Sequence, residues 1–93
     1  MVASLIEGLK NNELLIREAS IKALGNIGDA AAVPHLIPLL QNKSIAIRLS
    51  TLKALENIGD PSVIPHFRTV AEKDPDTTVK KEAIIALDNF HKI

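Results

Sequence analysis

The chain has 93 residues, with 11 basic and 11 acidic side chains, 46% apolar residues and no cysteine. One small domain is the expectation from this length, and the absence of thiols excludes disulfides, thiolate metal sites and cysteine nucleophiles. Balanced charge supplies no overall field for a polyanion, so no nucleic-acid partner is expected; the pair Lys80-Lys81 is the nearest approach to a basic patch.

No run nears the roughly twenty apolar residues of a membrane span, so no membrane partner is expected either. The start, Met1-Val2-Ala3-Ser4-Leu5, lacks the basic region and apolar core of a secretory signal. A cytoplasmic location is the resulting expectation. Only Phe67 and Phe90 are aromatic, so the interior must be built from Leu, Ile, Val and Ala.

In chain order, the apolar spacing predicts six short helices near residues 2–11, 14–27, 31–41, 45–57, 62–73 and 78–91. The second shows the pattern well: Ile16, Ala19, Ile21, Ala23, Leu24 and Ile27 recur at intervals that form one stripe on a helix. Gly28 closes it, since glycine readily takes the left-handed conformation, and Asp29 follows as the cap of the next helix. The fifth opens with Asp60-Pro61, a cap followed by proline where a missing amide costs nothing. Pro34 and Pro65 also fall in first turns, but Pro38 lies a turn further in and should kink or tighten the third helix. Asp76 or Thr77 can cap the sixth. No alternating β-branched run marks a strand.

Sliding residues 5–35 over 36–66 gives fifteen identities, among them Leu5/Leu36, Arg17/Arg48, Asn26-Ile27-Gly28-Asp29 over Asn57-Ile58-Gly59-Asp60, and Pro34-His35 over Pro65-His66. A fixed period of this length signals a stacked-repeat architecture. The expected division is a half repeat over 1–12, full repeats over 13–43 and 44–75, and a half repeat over 76–93. From Ala54-Leu55 to Ala86-Leu87 the period lengthens by one residue, and Asp74-Pro75-Asp76 is the expected place for the insertion, in a turn.

Ile16-Arg17, Ala23-Leu24-Gly25-Asn26-Ile27-Gly28-Asp29, Val33-Pro34 and Leu36-Ile37 together resemble the short HEAT-like repeat of phycobilisome lyases and many prokaryotic adaptors. The second copy matches through Ile47-Arg48, Ala54 to Asp60, Ile64-Pro65 and Phe67. A third is shortened to Val79-Lys80 and Ala86 to Phe90. The resemblance implies an all-α, right-handed solenoid of antiparallel helices that binds another protein, with the second helix of each pair on the concave side. It also implies that Arg17 and Arg48 reach the capping Asp29 and Asp60, or backbone carbonyls, between repeats. Lys80 stands at that place in the third copy, without the planar fork of arginine.

Catalytic signals are absent. His35 and His66 hold equivalent positions that can approach one metal ion, but no third ligand accompanies them. They read as polar residues of duplicated first turns, and neither a metal nor another cofactor is expected. HEAT-like iron enzymes use His-Glu pairs, and this chain has no His-Glu dipeptide. The serines lack a nucleophile-elbow setting, and Gly25-Asn26-Ile27-Gly28 precedes no strand and is not a phosphate loop.

The expected function is therefore a non-enzymatic interaction scaffold. Its partner-binding face on the second helices carries Glu7, Asn11, His35, Leu39, Asn42, His66, Thr69, Val70 and Lys73, with isolated apolar groups inside a polar ring. A second reading is a self-associating unit that stacks through apolar terminal helices at Leu5, Ile85 and Phe90. Ile85 stands where earlier copies have Lys22 and Lys53, and Ile93 extends that apolar end. A third is a non-catalytic subunit of a lyase-like complex.

Overall fold

The computed structural model describes residues 1–91, which form six helical segments and no strand. Ile93, expected at the apolar end, lies outside the described residues. Helix α1 (Val2–Gly8) stops three residues before the expected end. The amide of Leu9 is shared between the carbonyls of Leu5 and Ile6, and those of Lys10 and Asn11 reach back only three residues, to Glu7 and Gly8. This is the tighter bonding common at helix ends.

Helices α2 (Leu14–Ile27) and α4 (Ile45–Ile58) are copies of each other. Each is closed by a glycine at positive φ, Gly28 at 75° and Gly59 at 74°. Any side chain at these two places adds about 1 kcal/mol of strain. The chain then turns sharply. Asp29 and Asp60 each accept a hydrogen bond at 2.9 Å from the amide two residues on, Ala31 and Ser62. These caps open short 3₁₀ turns, Ala30–Ala32 and Pro61–Val63, which lead into α3 (Val33–Leu36) and α5 (Ile64–Lys73).

Pro38 then separates the two copies. It has no amide to continue the α-helical ladder, and after α3 the chain runs as a 3₁₀ helix over Ile37–Gln41. At the matching place α5 has Thr69 and stays α-helical to Lys73. This difference locates the extra residue of the second period, and it is not in the turn. The two turns match atom for atom. Asn42 accepts from Ser44 N and Asp74 from Asp76 N, both at 2.9 Å. Ser44 and Asp76 then cap the following helices through the amides of Ile47 and Val79. Five 3₁₀ residues at about 2.0 Å rise cover about 10 Å, while six α-helical residues at about 1.5 Å cover about 9 Å. One extra residue therefore spans the same path once the helix is not tightened.

Helices α2, α4 and α6 (Thr77–His91) lie side by side as one layer, and α1, the segment 33–41 and α5 form the other. The closest pairs across the layers are joined by short turns: α1 with α2, 37–41 with α4, and α5 with α6. The molecule is thus three stacked hairpins, and its shortest dimension, 16 Å, is two helices deep. Ile21, Leu24, Leu36, Ile47, Leu55, Phe67 and Val79 are fully buried between the layers. Phe67 meets Phe90 edge to face, with ring centroids 5.9 Å apart.

The two junctions within the first layer are unlike. A Cβ on Gly25 would lie 2.8 Å from Ala54 Cα, so α2 and α4 touch backbone to backbone. The matching residue on α4 is Glu56, whose carboxylate accepts from Asn89 Nδ2 at 2.6 Å. There α4 and α6 pack less closely.

Candidate protein-interaction surface

A cleft of about 610 Å³ opens between the 3₁₀ segment 37–41 and α5. Ile37, Leu40 and Val70 give it apolar walls, and Lys43, His66 and Lys73 are exposed at its rim. Of the residues expected on the binding face, Asn42, His66, Thr69, Val70 and Lys73 line this cleft. Glu7, Asn11, His35 and Leu39 do not. Glu7 pairs with Lys10 at 3.7 Å in solvent. The side chain of Asn11 is occupied by the amide of Glu13, and His35 is exposed on α3. Leu39 is half-buried against the core, and Val70 is buried, so both contribute more to packing than to an open surface.

One wall of the cleft is held by an ion pair taken almost wholly out of water. Arg48 Nε lies 2.8 Å from Asp74 Oδ2 and Nη2 lies 3.2 Å from Oδ1, with the two side chains 9% and 5% exposed. The remaining Nη1 donates to the carbonyls of Asn42 at 2.7 Å and Lys43 at 3.3 Å. Arg48 thereby clamps the ends of two successive second helices. The planar fork makes this possible, because its donors point along several fixed directions.

Neither arginine bonds Asp29 or Asp60, whose carboxylates cap their own turns. Arg48 does reach carbonyls, but its acidic partner is Asp74. Arg17, the copy of Arg48, makes no hydrogen bond among the described residues, and its Nε is buried without a partner there. The repeat explains this: the turn position that supplies Asp74 to Arg48 carries Asn42 for Arg17. An amide there offers no charge, and its oxygen is already taken by Ser44 N. Replacing Asn42 with aspartate keeps that acceptor and supplies the missing carboxylate. The Asn42→Asp chain is expected to gain about 1 kcal/mol, read by thermal unfolding as a rise of about 4–8 °C. An unchanged midpoint would refute the pairing.

A sequence profile for HEAT repeats matches residues 2–88. The chain belongs to the HEAT-repeat family. No curated protein matches it.

HEAT repeats generally act as protein-interaction scaffolds, which fits a stack that offers long faces and open clefts. Of His35 and His66, only His66 lines the cleft, while His35 stands outside it. Among the described residues no three His, Cys, Asp or Glu side chains gather as a metal site. No described helix is long and apolar enough to cross a membrane.

Sequence reading missed a second cleft of about 640 Å³ on the opposite layer, between α2 and α4. Lys22, Lys53, Asn26 and Asn57 line it, and all four are exposed. The repeated pairing of these residues was the available signal.

Proposed function

We propose that this HEAT array is a non-enzymatic scaffold that presents its second-helix cleft to a protein partner. The observation that carries this is the cleft itself: accessible apolar groups at Ile37 and Pro38, with Lys43, His66 and Lys73 exposed around them on fixed helical segments. An apolar centre ringed by polar groups is the usual composition of a protein contact. Because the segments are clamped by Arg48, a partner meets a surface already ordered, and little freedom is lost on binding. The short period and the repeated Asn-Ile-Gly-Asp junction support a place among the short repeats of the phycobilisome-lyase type. Service as a non-catalytic subunit of a lyase-like complex is one case of the same reading. A cytoplasmic setting accords with a fold that has no cysteine and so uses no disulfide.

The test uses exposed residues, so that the fold is left intact. His66→Glu combined with Lys73→Glu is expected to weaken the partner captured by the parent chain at least tenfold, or about 1.4 kcal/mol. Helicity by circular dichroism should stay unchanged. Binding that survives the double change at full strength would place the contact elsewhere.

A further inference from the structure

The three hairpins offer an internal comparison, because matching residues sit at matching places in the stack. One side of each first helix faces the preceding hairpin. Ile47 on α4 and Val79 on α6 occupy that side and are both 0% exposed, whereas the matching Ile16 on α2 is 40% exposed. The opposite side faces the following hairpin. Ile21 on α2 is 0% exposed and Leu52 on α4 is 2% exposed, whereas the matching Ile84 on α6 is 57% exposed. Ile27 at 39% and Ile85 at 47% extend the two bare patches. Leu5 and Phe90, also expected in self-association, are instead half-buried against the core.

The two bare faces are therefore the two halves of a contact that the molecule already makes twice. The α6 face is a copy of the faces that cover Ile47 and Val79. The α2 face is a copy of the faces that cover Ile21 and Leu52. We infer that a second copy of this chain fills each of them, with the α6 face of one molecule seated on the α2 face of the next in the register that joins the hairpins internally. The occupant is argued from continuity with that established packing, since each face is complementary to the other and not to itself. Such a junction is heterologous: it joins unlike surfaces, and it builds open chains or rings rather than a two-fold dimer. Lys22 and Lys53 are exposed at the places that match Ile85, so the apolar residue at Ile85 enlarges the bare patch on α6.

Heterologous contact has a distinctive signature on mixing. Sedimentation of the parent chain should show mass rising with concentration. Ile84→Glu removes one face and Ile16→Glu the other, so each variant alone should sediment as a monomer. Both side chains are exposed, and circular dichroism should report unchanged helicity. Mixed together, the Ile84→Glu chain still offers its α2 face and the Ile16→Glu chain its α6 face. The mixture should form a species of two chains and nothing larger. A parent chain that remains monomeric at all concentrations overturns the inference. So does a mixture that stays monomeric, or an Ile16→Glu chain that still assembles, which would mark a contact of α6 with α6.

Discussion

Asp74→Ala is expected to lower the unfolding free energy by about 3–5 kcal/mol, because it leaves the buried Arg48 guanidinium without its counter-charge. For a chain of this size that is a fall in melting temperature of more than about 10 °C. Two further variants separate the contributions. Asp74→Asn keeps an acceptor for Asp76 N, as Asn42 does for Ser44, and loses only the charge. It should therefore fall between the parent and Asp74→Ala. Combining Asp74→Asn with Arg48→Met removes the buried charges altogether, and most of the lost stability should return, since an apolar replacement of a whole buried pair is often close to neutral. If Asp74→Ala melts within about 2 °C of the parent, the ion pair contributes far less than its burial suggests.

Phe67→Ala should be comparably severe. Phe67 is fully buried, and its ring packs edge to face on Phe90 at an interplanar angle of 77°. Emptying such a site costs about 3–5 kcal/mol through lost transfer energy and a residual cavity. The aromatic pair adds about 0.5–1.5 kcal/mol. A small domain holds only about 5–15 kcal/mol in total. The urea midpoint should fall steeply while the slope of the transition stays the same. Phe67→Leu provides the control. The same position carries Leu5 and Leu36 in the earlier copies, and Leu36 is completely buried there. A loss below about 1.5 kcal/mol is expected for leucine, whereas equal losses for alanine and leucine would show that shape, not volume, holds the site.

The features legible in the sequence were those carried by local chemistry. Gly28 and Gly59 announce left-handed helix ends, Asp29 and Asp60 announce turns, and the apolar stripe of α2 announces its buried side. Pro38 gave notice of a disturbed helix. What it did not reveal was that the disturbance becomes a complete 3₁₀ segment and thereby changes the number of residues the helix needs. Placing the extra residue in the 74–76 turn hid the equivalence of Asn42 and Asp74, and with it the partner of Arg48. That pair is 26 residues apart, and no local pattern connects them. Leu39 illustrates a second limit. Periodicity assigned it to the outer face, but a 3₁₀ helix turns each residue through a larger angle than an α-helix does, and Leu39 rests against the core.

The unequal joints on either side of α4 have a consequence for how the array comes apart. In a linear stack, stability divides into what each unit holds by itself and what it gains from its neighbours. The first joint rests on the backbone contact at Gly25 and Ala54, and the second adds the Glu56–Asn89 hydrogen bond and the Arg48–Asp74 clamp. Partial opening then has two distinct routes, one peeling away the first hairpin and the other the last. Bulk at Gly25 loosens the first and loss of charge at Asp74 the second, so a single position decides which end of the molecule opens before the rest.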